Sequence, residues 1–311
     1  MKIAAFLHAY PPDRLAGADL MSADLLDALA ENGHDVTVFS TQPCRARQEG
    51  RIRVENRHLF RKADGWSMVY SHPDVGDVPS HHARRIRVPY VAVVHNTNPA
   101  TGRYLRNNPP DLTVWNAHAT RAAHGGSGGI VVRSPLRVAD HQWEDRSQAT
   151  ATTLVNLSED KGAHLFYALA AQGGDFLGVV GAHGKQDERP DVVEVLPQAP
   201  HQLMPDLVWS RTRVLLMPSK SESWGRVGLE AMCSGIPVIA HPTLGLREAL
   251  GGAGLFVHRD DVAGWRLALN DLADPITYGM WASAAVQRAW EVERQSLADR
   301  EAFAAAVEAL A

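Results

Sequence analysis

Cysteine is nearly absent from this chain: Cys44 and Cys233 are the only two in 311 residues. They lie far apart and give neither a disulfide framework nor a metal-ligand spacing, which points to a reducing compartment such as the cytoplasm. Long apolar runs are missing as well. No stretch approaches the roughly 20 residues of a membrane-spanning helix. The opening Met1-Lys-Ile-Ala-Ala-Phe-Leu runs into Pro11-Pro12 without the apolar core of a signal peptide. A soluble cytoplasmic protein is expected, with peripheral contact to a membrane left open. A basic surplus is also lacking. The formal net charge of −4 argues against a nucleic-acid binder that works by neutralising phosphates. One local patch, Arg84, Arg85 and Arg87 beside His81 and His82, reads as a solvated loop. Complete glycine-rich nucleotide motifs are absent too. His8 to Gly17 holds a single glycine where a nicotinamide dehydrogenase needs Gly-x-Gly-x-x-Gly. In Gly181-Ala-His-Gly184-Lys185, Val179 replaces the first P-loop glycine and Gln186 the magnesium-binding Ser or Thr. Both classes are excluded.

What remains is an ordinary globular composition, 45% hydrophobic and 21% charged, in a chain long enough for two domains. The first forty residues read as a β-loop-α-β unit. Ile3 to Leu7 is a strand, Tyr10 to Asp19 a loop, Leu20 to Glu31 a helix stopped by Asn32-Gly33, and Val36 to Phe39 a second strand. Strands follow at 67–70, 88–94, 112–115 and 129–132. Residues 134–148, rich in Asp, Arg and His, read as a linker, after which alternation restarts at Thr152-Thr-Leu-Val155. Repeated strand–helix alternation implies parallel sheets with right-handed crossovers. The stretch from Ala282 onward has helical spacing and no proline.

The most informative segment is Glu222-Ser-Trp-Gly-Arg-Val-Gly-Leu-Glu230, continuing as Ala231-Met-Cys-Ser-Gly-Ile-Pro-Val-Ile-Ala240. Val214-Leu-Leu-Met-Pro-Ser219 before it reads as a buried strand ending in a turn. A helix starting near Arg226 or Val227 would offer free N–H groups and a positive dipole end to an anion. This segment resembles the donor-binding motif of retaining glycosyltransferases of family 4. There the pattern is Glu, seven residues, Glu, then Ala and a Gly-x-Pro-Val; Glu222, Gly225, Glu230, Ala231, Gly235, Pro237 and Val238 match it. The order of weaker signals is similar as well. Lys161-Gly162 opens a helix and Phe176-Leu-Gly-Val-Val-Gly181 makes a strand and turn. Gly245-Leu-Arg-Glu248 and Gly254-Leu-Phe-Val257 follow the glutamate pair.

The resemblance covers nearly the whole chain and implies the α/β GT-B fold, two Rossmann-like domains whose parallel sheets face a central cleft. The expected boundaries are 1–140 for an N-terminal acceptor domain and 148–287 for a C-terminal donor domain. A terminal helix over about 288–311 is expected to return to the first domain. The implied reaction is metal-independent transfer of a sugar from a nucleoside diphosphate donor, UDP by prior, with retention at the anomeric carbon. The leaving diphosphate must be stabilised, the ribose held and the acceptor hydroxyl aimed. By resemblance Lys161 serves the phosphates and Glu230 accepts from the ribose hydroxyls. Glu222 lies near the donor sugar, with Ser223, Trp224, Gly225, Arg226 and Val227 completing the donor loop. Trp224 either packs on the sugar or fills core space. Gly17 stands where the family has a Gly-Gly pair, and Ala18 departs from that pair. Asn156, also a donor-binding candidate, stands where the family has a phosphate-clamping arginine; either another cation compensates, with Arg226 as the candidate, or the leaving group is handled differently. His95, ending a strand, is expected to contact the donor sugar; His72 and Asn96 are acceptor-side candidates.

Neither a protein nucleophile nor a cofactor is expected; front-face substitution, with the leaving phosphate helping to deprotonate the acceptor, is the implied route. The other common glycosyltransferase fold would require an Asp-x-Asp metal site, and no two aspartates stand two apart. The alternatives kept are a same-fold nucleotide-sugar epimerase and a non-catalytic nucleotide-sugar-binding accessory protein. The chain is compact for this family, so short acceptor loops are expected at about 10–19 and 71–88. The acceptor itself (a lipid, glycan, small molecule or modified nucleic-acid base) is not legible.

Overall fold

The computed structural model of the protein describes residues 1–61, 64–182 and 184–311. His183, inside the Gly181–Lys185 segment considered above, lies outside the described residues. The chain divides into two units, Met1–Pro135 with Gln295–Ala311, and Leu136–Arg294.

The first unit begins with β1 (Lys2–Leu7), α1 (Gly17–Glu31) and β2 (Asp35–Ser40). It continues through β3 (Arg47–Glu49), β4 (Ile52–Asn56), β5 (Met68–Ser71), α2 (Val78–Ile86) and β6 (Tyr90–Val94). α3 (Pro99–Asn107), β7 (Leu112–Trp115), α4 (His118–Ala123) and β8 (Ile130–Val131) complete it. The strands form one sheet in the order β3-β4-β2-β1-β5-β6-β7-β8. Every pair is parallel except β3 with β4. Alternate side chains serve two cores. Ile3, Ala5 and Leu7 join Leu25, Leu29, Val38, Phe303 and Val307 on one face. Ala4 and Phe6 join Phe39, Trp66, Val69 and Tyr90 on the other. A sheet covered on both faces explains why its strands read as unbroken apolar runs. α1 ends at the expected signal, with Asn32 as C-cap and Gly33 at φ +86°.

Two local expectations differ from what is found. The Arg84–Arg87 segment is not a loop: α2 carries Arg84 and Arg85 in its last turn, and Arg87 is its left-handed C-cap. Pro79 starts that helix, and Pro79, Ser80 and Ala83 give it a buried stripe that outweighs the surface charge. β3 and β4, unmarked in the sequence, form the polar sheet edge, where only Ile52 and Val54 are buried.

The second unit contains α5 (Val138–His141), β9 (Ala151–Val155), α6 (Ala163–Ala170), β10 (Phe176–Val179), β11 (Glu194–Leu196) and β12 (Thr212–Met217). Next come α7 (Arg226–Cys233), β13 (Val238–Ala240), α8 (Leu244–Leu250), β14 (Gly254–Phe256) and α9 (Val262–Asp271). The last helix, α10 (Pro275–Glu308), begins in this unit and ends in the first. The sheet is fully parallel in the order β11-β10-β9-β12-β13-β14. Its core gathers Leu154, Phe166, Leu169, Val214, Leu216, Ile239 and Trp265. Strand order reverses between β1 and β5 in the first sheet and between β9 and β12 in the second. At such a switch point the crossovers leave on opposite faces, so a crevice opens beyond the carboxyl ends of the strands. Among the described residues no helix is long and apolar enough to cross a membrane.

Candidate functional site

The switch point of the second sheet is where the sequence places its charges. After β9 the chain turns through Asn156 and a 3₁₀ turn, Glu159–Lys161, into α6. After β12 it passes Pro218 and Ser219 into the loop that carries Glu222. Gly162 joins the two. It sits at φ +89°, and a Cβ there would lie 2.5 Å from Pro218 Cγ, so only glycine lets the Lys161 turn rest on the end of β12. The result is an ion pair between Lys161 Nζ and the Glu222 carboxylate. Ser219 Oγ also donates to Glu222 Oε1, at 2.9 Å.

The Glu222 loop is held from behind by α8. A Cβ on Gly245 would approach the Glu222 carbonyl oxygen to 2.2 Å, so backbone packs directly on backbone. Trp224 is 3% exposed, so of its two open readings the structure gives core packing. Gly225, at φ +80°, turns the loop into α7 at Arg226, the expected helix start. Ser223 and Val227 are half-buried on either side of that turn.

Glu230 lies one turn into α7 and is 3% exposed. Burial favours its neutral form, but the hydrogen bond from His201 and the charge of Arg226 outweigh it. The carboxyl is held well below the usual range. Arg226 Nε donates to Glu230 Oε1 at 2.6 Å, and His201 Nε2 lies 3.0 Å from the same oxygen. The compensating cation sought for the phosphates is therefore paired with Glu230 in this structure. Asn156 has a different occupation. It adopts φ +73°, a left-handed conformation that asparagine tolerates better than arginine. Its Oδ1 accepts from Ser158 N at 3.1 Å and from Gln186 Nε2 at 3.0 Å. Gln186 Oε1 in turn accepts from the Leu157 and Gly181 amides. Asparagine here clasps two loops.

In the first unit the switch point collects histidines. His72 follows β5 and His95 follows β6, and their Nε2 atoms lie 2.9 Å apart. Ser22 Oγ, on α1, sits 2.5 Å from His72 Nε2 and 3.0 Å from the Tyr70 hydroxyl. His72 is 1% exposed, and burial, aided by His8 and Arg14, pushes it down to about 3. Burial and the neighbouring His72 likewise lower His95. Two neutral rings can share one proton donor and one acceptor; two imidazoliums could not stand so close. His95 is the more exposed of the two. Asn96 Oδ1 accepts from Asn98 N and Thr101 Oγ1 and so shapes the entry to α3. Gly17 is the first residue of α1, and a Cβ there would meet nothing within 4 Å.

Residues that the sequence reading missed cluster around these groups. His201, in Pro197-Gln-Ala-Pro-His201, meets Glu230 only through tertiary folding. His141, at the end of α5, stacks edge-on against His201 with ring centres 4.7 Å apart. Burial pushes His141 down to about 4. Arg259 donates to the Glu159 carbonyl at 3.2 Å and braces the Lys161 turn. None of these lies in a periodic pattern or motif, so no local signal marked them. The Arg14–Asp19 pair beside Gly17 was legible in principle from a charge five residues ahead of a helical acid.

Residues 177–274, all within the second unit, match the family model described as glycosyl transferases group 1. Curated relatives include D-inositol 3-phosphate glycosyltransferases. That of Streptomyces coelicolor is 41% identical over 87 residues, 27% of this chain and 19% of that protein. That of Streptomyces scabiei is 36% identical over 124 residues, 38% of this chain and 27% of that protein. The matches thus span about a fifth to a quarter of those relatives' length. Among solved structures, sucrose-phosphate synthase from Thermosynechococcus elongatus superposes with a TM-score of 0.78 at 17% identity, covering 99% of this chain and 98% of that one. HepE from Anabaena in complex with UDP-glucose gives 0.79 at 18% identity, covering 99% and 100%. At these identities the likeness establishes the fold, and the fold is GT-B.

Proposed function

We propose that the protein is a retaining glycosyltransferase of family 4 type that moves a sugar from a nucleoside diphosphate donor to an acceptor hydroxyl without a metal. The observation that carries the proposal is the Lys161–Glu222 ion pair at the switch point of the second sheet, followed by buried Glu230 on the helix that the same loop starts. The group 1 match lies in the same unit. UDP is the favoured nucleotide because HepE, of the same fold, binds UDP and UDP-glucose.

In this reading Lys161 exchanges Glu222 for the diphosphate and stabilises the charge that grows as the glycosidic bond breaks. Glu222, released, accepts from hydroxyls of the donor sugar. Glu230, ionised and fixed by Arg226 and His201, receives the two ribose hydroxyls, which a carboxylate can accept together. The amides of Ser223 to Val227 approach the sugar and phosphates at the start of α7. The first unit carries the acceptor at the ends of β5 and β6, with His95 and Asn96 as its contacts and buried His72 holding His95 in place. Gly17 leaves the backbone at the start of α1 open to a ligand. The leaving phosphate helps to take the acceptor proton, so no protein nucleophile is assigned.

The test is UDP-glucose turnover, with water as the default acceptor, followed by proton NMR in the presence of EDTA. The proposal expects slow release of α-glucose first. Initial release of β-glucose would exclude retention, and a strict need for magnesium would exclude metal independence. Donor binding with no turnover at all would indicate an accessory role.

A further inference from the structure

We infer that His141, His201 and Glu230 form a binding site for a divalent transition-metal ion of the zinc class, and that the ion and a nucleotide exclude one another there. The exclusion rests on the ribose role given to Glu230 above; the metal site does not.

Three elements supply the ligands: the end of α5, the 3₁₀ turn His201–Leu203 and the middle of α7. One ligand atom from each lies within 4.8 Å of the others. His201 Nε2 and Glu230 Oε1 are already 3.0 Å apart. Neighbouring ligands on a tetrahedral zinc stand roughly 3.3 Å apart, so that pair is set and His141 has a short distance to close. Two imidazoles and one carboxylate form a donor set that zinc favours, with a fourth position left open.

A second observation is independent of the spacing. His141 Nδ1 is buried and has no hydrogen-bond partner, an arrangement that native interiors rarely tolerate without a ligand or ion. The backbone that carries the ring is anchored. The His141 carbonyl accepts from Ser234 Oγ at 2.9 Å, which ties α5 to the end of α7. Arg226 touches two of the ligand atoms, with its Nε 2.6 Å from Glu230 Oε1 and a terminal nitrogen 3.4 Å from His201 Nε2; when the ion binds it has to leave His201 and remain the hydrogen-bonded outer partner of the carboxylate. An ion on Glu230 would neutralise the carboxylate charge and occupy acceptor positions that the two ribose hydroxyls need.

The experiment is calorimetric titration of the untagged protein with zinc chloride, on the wild type and on H141Q. Each is also followed by UDP thermal shift with and without zinc. The wild type should take up one equivalent and H141Q none, while H141Q retains the UDP shift, which shows it folded. Zinc should weaken UDP binding to the wild type at least tenfold. No uptake by the wild type, or equal uptake by H141Q, overturns the site. Zinc and UDP binding together at unchanged affinity overturns the exclusion. Uptake that depends on His141 in a protein that never binds UDP leaves the site standing and removes the donor reading. Cobalt(II) supplies a check that needs no variant: the visible bands of a low-coordinate site should appear, and their absence counts against the proposal.

Discussion

Lys161 and Glu222 neutralise each other at the ends of β9 and β12; under the proposed function each gives up that partner when the diphosphate and the sugar bind. Removing the lysine should therefore act on the transition state. K161A is expected to lower kcat by about 10²-fold, the usual cost of losing one charge-stabilising group, with donor KM little changed. A raised KM at unchanged kcat would reassign Lys161 to ground-state binding. The buried His72 makes a prediction about stability. Its folded value, about 3, lies below the ordinary histidine value of about 6.5, so the unfolded chain binds the extra proton first. Stability from this site is full above about pH 6.5 and is lost progressively as pH falls towards the folded value. The cost is about 1.4 kcal/mol per pH unit in that window. H72Q should flatten the decline of the urea midpoint between pH 6.5 and 4.5; an unchanged slope would place the proton elsewhere. Of these residues, Glu222, Glu230 and Lys161 were legible because each sits in a motif of fixed spacing. His201 and His141 were not, because their only mark is proximity to Glu230 after folding.

At the level of elements, two strand ends are brought together in the second unit, and Gly162 is the joint. G162A adds a Cβ 2.5 Å from Pro218 at a left-handed φ, which should cost roughly 1–3 kcal/mol. It should also move Lys161 away from Glu222. The measured outcome would be a lower melting midpoint together with a loss of turnover beyond what the destabilisation explains. A fully active, equally stable G162A would show that the turn tolerates displacement. The strands and the start of α7 could be read from apolar runs, turns and glycines. The edge pair β3–β4 could not, since only Ile52 and Val54 of its residues are buried, too few to make an apolar run. α2 was hidden by its surface arginines, because its buried stripe is only three small residues wide. Asn156 looked like a missing cation; its left-handed backbone and its clasp on Gln186 are tertiary facts.

For the whole molecule, the two parallel sheets each reverse strand order once, and the histidines of one unit and the glutamates of the other mark the two reversals. The parallel sheets were readable from the repeated strand–helix alternation and the GT-B fold from the resemblance; the acceptor was not, because nothing in segments 10–19 or 71–88, the second of which folds largely as α2, forms a motif. Under the proposed function the second unit binds a nucleoside diphosphate through Glu230 without a metal. Calorimetric titration with UDP in EDTA, on the wild type and on E230A, measures this. Binding to the wild type and at least a tenfold loss in E230A are expected, the order for a charged acceptor of two hydroxyl hydrogen bonds. Equal affinity for the two proteins, or no binding of UDP or any other nucleoside diphosphate to the wild type, would contradict the proposal.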